Sequence, residues 1–278
     1  MALLVALAMA PDVALAQAPD DNRRRCVDVG KPDTAIAACT ALIEAGNDGG
    51  ASLASHFHSR GFAFYNKAEF DRAIQDFDQA IRLNPSDARI HNNRGSAYEK
   101  KGQLDQAMRD YEEAIRLWPD YAIALFNRGR GHTRQGRYDR AIQDFDQAIR
   151  LNPSDADYFR SRGFAYYSKG ELDRAIQDYD QSIRLSPSVA RSYNNRGSAY
   201  ERKGQFDQAM RDYDEAIRLR PDYAFALFNR GRIFARRGQH ERAIQDFDHA
   251  RRLDPGDGDT RKARCASLKA LGRSAPDC

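Results

Sequence analysis

The chain has 278 residues, 41% of them hydrophobic and 30% charged, with Lys+Arg 44 against Asp+Glu 40 and a formal net charge of +4. That balance is not a strongly basic one, and it does not point to nucleic acid as a partner. Apolar content is ample for a folded chain, and beyond the N-terminus no stretch approaches the length of a membrane span.

Met1–Ala16 is apolar apart from Asp12, and Ala14-Leu15-Ala16 makes a small-x-small site before Gln17, so residues 1–16 read as a secretory signal peptide. No lysine or arginine precedes this run, and a misassigned start would leave the chain cytoplasmic. With the signal, the mature chain is expected to be periplasmic or secreted. Residues 17–53 read as a degenerate helical repeat and linker. There Pro32–Cys39 echoes Phe70–Phe77, giving a helix capped by Asp33 and stopped by Gly46, with Asn47–Gly50 as the linker.

From residue 54 the chain repeats. Gly61, Gly95, Gly129, Gly163, Gly197 and Gly231 recur every 34 residues, and Pro85, Pro119, Pro153, Pro187, Pro221 and Pro255 keep the same step. With glycine at place 8 and proline at place 32, the units are 54–87, 88–121, 122–155, 156–189, 190–223 and 224–257. A duplication overlies the period, since Asn92–Glu99 returns unchanged as Asn194–Glu201.

Within a unit, apolar residues such as Phe57, Phe64, Ala73, Phe77, Ala80 and Ile81 fall at helical spacing and predict two amphipathic helices. A break such as Lys101-Gly102-Gln103 separates the helices, and the proline ends the second. Small residues at place 8 (glycine) and place 20 (alanine) allow close approach, and the aromatic at place 24 is expected to fill the gap to the neighbouring unit. A single pair cannot bury its apolar face alone, so the units must stack. In residues 258–278, Asp259–Leu271 is expected to form a capping helix with a short tail behind it.

This pattern resembles the tetratricopeptide repeat, whose signature runs W-x2-L-G-x2-Y, then A-x3-F, then P. The resemblance covers Ala54–Asp257. It departs at place 4, where Phe57, His91, Leu125, Phe159, Tyr193 and Leu227 replace tryptophan, and at place 7, which is arginine in every unit. It implies an all-α, right-handed superhelical solenoid of antiparallel helix pairs whose first helices line a concave groove. Some relatives hold acidic tails in a carboxylate clamp. Here only its middle asparagine is matched, by Asn93 or Asn195.

The four cysteines lie at the two ends, and each pair, Cys26 with Cys39 and Cys265 with Cys278, is separated by 13 residues. Four cysteines allow three connectivities. In an oxidising compartment two local disulfides would staple the ends; a metal site is disfavoured because the pairs lie at opposite ends and no histidine has ligand spacing to either.

Arg60, Arg94, Arg128, Arg162, Arg196 and Arg230 could be taken for a phosphate-binding row. Yet each unit also carries an aspartate at place 23, and a helix pair turning near place 15 brings places 7 and 23 level. An internal Arg–Asp ladder is therefore expected.

The candidate binding groove comes from the family's inward places. It comprises the asparagines Asn93, Asn127, Asn195 and Asn229, the aromatics Phe62, Tyr65, Phe126, Phe164, Tyr167 and Phe228, and the cations Arg130 and Arg232. An amide both donates and accepts, which suits an extended peptide backbone, and aromatics facing solvent usually mark contact. Glu99 and Glu201 interrupt the positive charge.

No phosphate loop, nucleophile elbow or zinc motif is present, and His56, His58, His132, His240 and His249 read as surface residues. No catalytic residue or cofactor is expected. The reading is a non-catalytic scaffold or adaptor for a protein or peptide partner. The alternative is an accessory subunit of an envelope polysaccharide or lipid assembly system that binds glycan, polyanion or an enzyme subunit.

Overall fold

The computed structural model describes residues 21–28, 30–274, 276 and 278; the segment read as a signal peptide lies outside them. The chain divides into two compact units, residues 1–131 and 132–278. After a helical stretch at residues 21–26, the first holds α1 (Pro32–Ala45), α2 (Gly50–Asn66), α3 (Phe70–Leu83), α4 (Ala88–Lys100), α5 (Leu104–Leu117) and most of α6 (Ala122–Arg134). The second holds α7 (Tyr138–Leu151), α8 (Ala156–Lys169), α9 (Leu172–Leu185), α10 (Ala190–Arg202), α11 (Phe206–Leu219), α12 (Ala224–Arg236), α13 (His240–Leu253) and α14 (Gly258–Ala270).

Consecutive helices pack as pairs, α2 with α3 and α4 with α5 in the first unit, α8 with α9, α10 with α11 and α12 with α13 in the second. The second helix of each pair owes its form to a regular apolar stripe. In α3, Ala73, Ile74, Phe77 and Ala80 are buried while Arg72, Gln75, Gln79 and Arg82 face solvent. The turn before it needs one left-handed residue, supplied by Gly102, Gly170, Gly204 and Gly238 at φ of 77°, 85°, 77° and 74°. In the first pair Ala68 takes that conformation instead, at φ 60°.

Glycine at place 8 sets the distance between paired helices. A Cβ on Gly61 would lie 2.9 Å from Phe77 Cε1 and 3.2 Å from the Ala73 carbonyl oxygen. Gly95, Gly163, Gly197 and Gly231 are covered in the same way by Tyr111, Tyr179, Tyr213 and Phe247. The place-24 aromatic thus lies over the glycine of its own repeat, where the sequence reading set it in the gap to the next. Phe77 also shares a core with Ile90 and Ala97 of the following pair.

At the N-terminal end the expected cap is displaced. Lys31, not Asp33, flanks α1, with no side-chain cap bond; Pro32 opens the helix and Asp33, in its first turn, pairs with Lys67 at 2.5 Å. Gly46 ends α1 at φ 66°, and α2 already starts at Gly50, inside the expected linker. Disulfides join Cys26 to Cys39 and Cys265 to Cys278.

The arginines at place 7 bridge both within and between repeats. Arg94 donates from Nε and Nη2 to Asp110 at 2.9 and 2.6 Å, and from Nη1 to Asp78 of the preceding repeat at 2.7 Å. Arg196 grips Asp212 at 2.9 and 2.6 Å and reaches Asp180 at 2.6 Å; Arg162 and Arg230 repeat the pattern with Asp178 and Asp146, and with Asp246 and Asp214. At the N-terminal end Arg60 holds Asp76 and turns its third nitrogen to Thr40 of α1, 3.0 Å away. At the other end Arg264 of α14 reaches Asp248 at 2.5 Å. Burial pushes the carboxyl of Asp212 up, against the lowering effect of Arg196. Burial likewise disfavours the Arg196 charge, but the hydrogen bonds to Asp212 and Asp180 outweigh it and hold the guanidinium pKa above its usual value.

Two outcomes test this account. Replacing Arg196 by Met strands Asp212, only 5% exposed, and should lower unfolding free energy by about 3 kcal/mol, whereas Arg196→Met with Asp212→Leu should recover much of the loss, read from denaturant midpoints. Ala68→Gly should raise the thermal midpoint, because relief of the left-handed strain, about 1 kcal/mol, competes only with the smaller entropy gained by the unfolded chain.

Candidate partner-binding face

Besides pairing with their second helices, the first helices touch one another in succession: α2 with α4, α8 with α10, α10 with α12, and α12 with α14. The groove residues named from the sequence all lie on first helices.

In the first unit Phe62 and Tyr65 stack with ring centroids 6.2 Å apart, and Tyr65 meets the edge of Phe70 at 5.6 Å. Burial, with the Glu99 charge, raises the Tyr65 phenol pKa. A polar relay crosses the same face. Asn93 Nδ2 donates to His58 Nε2 at 2.9 Å, Asn92 Nδ2 donates to Asn93 Oδ1 at 3.2 Å, and Asn127 Nδ2 donates to Asn92 Oδ1 at 3.0 Å. Arg130 donates to Glu99 Oε1 at 3.0 Å, while Glu99 Oε2 accepts from Tyr111 at 2.8 Å. The Arg130 guanidinium also lies 5.8 Å from the Phe126 ring centroid. Phe62, His58 and Asn93 further line a cleft of about 300 Å³, closed on its other side by Cys26, Val27 and Ala35.

The second unit repeats much of this. Asn229 donates to Asn194 at 3.1 Å, Arg232 pairs with Glu201 at 2.9 Å, and Glu201 accepts from Tyr213 at 2.9 Å. Phe164 is 45% exposed, and Tyr167 is covered by the Arg202 guanidinium at 5.3 Å. Phe228 packs 6.0 Å from the core ring of Phe247, and Asn195 is half-buried.

Several of these side chains have partners that the sequence did not suggest. The amides of Asn93, Asn127 and Asn229 are each engaged with a neighbouring side chain. Glu99 and Glu201, seen in the sequence as interruptions of positive charge, are anchors that fix Arg130 and Arg232. A signal for this was present, because both glutamates occur in repeats with tyrosine at place 24, whose buried hydroxyl needs an acceptor. His56 and His132, expected at the surface, are 8% and 6% exposed, the first beside Asp48 and Cys26 and the second 3.9 Å from Asp144. Among the described residues no group of three or more His, Cys, Asp or Glu could hold a metal ion, and no helix is long and apolar enough to cross a membrane.

Helix pairs stacked through shared cores and repeated ion pairs define an all-α solenoid of helical repeats. The chain belongs to the tetratricopeptide repeat family, whose model matches residues 60–122, 98–156, 126–190 and 194–258. Among solved structures it resembles MamA, at 28% identity over 59% of this chain and 96% of that one, with a TM-score of 0.54. A tetratricopeptide repeat protein from Parabacteroides merdae aligns over 91% of this chain and 99% of its own at 20% identity and a TM-score of 0.70. YrrB, described as having an unusual peptide-binding site, aligns over 70% and 97% at 22% identity and a TM-score of 0.54. The last two likenesses speak to the fold alone. No curated protein matches the sequence.

Burial lowers the His58 pKa from 6.5, opposed by the Asp87 charge and helped by Arg89. Because the folded value lies below the unfolded one, the stability contributed by neutral His58 is complete above pH 6.5 and is lost as pH falls through that value. On acidification from about pH 7.5 to about pH 5 the thermal midpoint should fall further for the native chain than for His58→Gln, which keeps an acceptor for Asn93.

Proposed function

We propose that this chain is a non-catalytic scaffold or adaptor that holds an extended segment or helix of a partner protein on its inner helix faces. The observation that carries the reading is the aromatic surface left open there, above all Phe164 at 45% exposure and Phe62 at the wall of an open cleft. Such rings lose water favourably against a partner and gain little in isolation. Membership of a family of interaction modules supports the same class.

The duplication makes the proposal more specific. One subsite spans residues 62–134 and the other 164–236, so a partner carrying two similar segments would gain avidity. The fixed arginines Arg130 and Arg232, each held by a glutamate, favour acidic groups beside the apolar contacts. The two disulfides support work in an oxidising compartment, as periplasmic or secreted location would provide.

A chain with Phe62, Phe126 and Phe164 changed to alanine should remain as helical as the native protein but lose its partner in affinity capture from periplasmic extract, followed by titration of the isolated partner. Phe228 is left intact because it supports the Phe247 core. Equal retention of the same partner by both chains would move recognition away from the inner face.

A further inference from the structure

The N-terminal disulfide is built into a side-chain relay that stapling alone does not require. Asp48, in the loop after α1, accepts from Ser52 Oγ at 3.1 Å and Arg23 Nη2 at 3.3 Å on one oxygen, and from His56 Nε2 at 2.9 Å on the other. These bonds fix the imidazole of a residue only 8% exposed. Its other nitrogen, Nδ1, faces Cys26 Sγ at 3.9 Å. The two cysteines are unequal. Cys26, 2% exposed, is among the residues lining the 300 Å³ cleft with Phe62, His58 and Asn93, whereas Cys39, 0% exposed, is not, and its Sγ lies 3.3 Å from the Cys26 carbonyl oxygen. Cys26 therefore borders the cleft with an Asp-backed histidine beside its sulfur, and Cys39 lies behind it with an acceptor ready for a thiol proton.

We propose that Cys26–Cys39, with His56 and Asp48, is a thiol–disulfide exchange centre for cysteine-bearing polypeptides that enter this cleft. The proposal goes beyond the scaffold role and does not depend on it. In the first step a substrate thiolate attacks Cys26 Sγ. The Cys26–Cys39 bond breaks, a substrate–Cys26 bond forms, and the electron pair leaves on Cys39, which takes a proton and donates it to the Cys26 carbonyl. In the second step another thiolate of the same substrate attacks the substrate sulfur of that mixed disulfide. Cys26 leaves, and the proton that the attacking thiol has given up reaches it through the His56 ring, which Asp48 holds in place. One substrate dithiol becomes a disulfide, and Cys26 and Cys39 receive its two electrons and two protons. An imidazolium beside a sulfur favours the thiolate both as leaving group and as nucleophile, so the same site serves the reverse direction.

Reduced glutathione is the probe. The intact chain is incubated with it, quenched by rapid alkylation, and the adducts are located by mass spectrometry of peptides. The adduct is expected on Cys26 and not on Cys39. In a Cys39→Ser chain, carboxymethylation of Cys26 at about pH 7 should run about tenfold faster than for a thiol of the usual pKa of about 8.5, and adding His56→Asn should remove that excess. An adduct on Cys39, no adduct on either, or equal Cys26 rates with and without His56 would overturn the proposal. The glutathione experiment uses the native chain, so it decides even where a variant folds poorly.

Discussion

The bond on which the rest of the architecture depends is the three-way contact of the place-7 arginine. Its planar fork fits the carboxylate of its own repeat at two points, and the remaining nitrogen takes an aspartate from the repeat before. Apolar packing alone tolerates sliding between stacked helices; a bidentate pair between nearly buried groups does not. Within each unit the arginines therefore set the rotation and height of one helix pair on the next. The glycine at place 8 lets the paired helices approach closely, with the aromatic ring above it filling the space a side chain would have taken.

The same economy of residues shapes the inner face. Groups that appear free in the sequence are used in pairs: a glutamate holds an arginine out over the surface, and an asparagine relay joins neighbouring first helices. What is left available to a partner is chiefly aromatic surface and the outer edges of anchored guanidinium groups. On the proposed function, recognition there draws on rigid, preplaced contacts, with little side-chain entropy still to lose.

Much of the fold was legible because a strict period carries it. The step of 34 residues located the helices, the turns and the level meeting of Arg94 with Asp110. The second arm of the ladder was missed, because the contact from Arg94 to Asp78 depends on how repeats stack and no within-repeat pattern encodes it. The family places put the candidate residues on the first helices, as expected. The engagement of Asn127 with Asn92 could not, since both amides look equally solvent-ready until their helices are side by side. His56 was misjudged for a similar reason: its neighbours Asp48 and Cys26 belong to the irregular N-terminal half-repeat, where the period fails.

The terminal helix α14 occupies the register of a seventh first helix, and its Arg264 meets Asp248 as Arg230 meets Asp214. The last rung is therefore made with the ordinary fitting and not with a special one. The place-7 arginine of a whole 34-residue module inserted before residue 258 would reach Asp248 of α13, and the module's own aspartate would be met by Arg264 of α14. Array length can thus change by copying, without redesign of the terminus, and the twinned Asn92–Glu99 and Asn194–Glu201 segments are the kind of record such growth leaves.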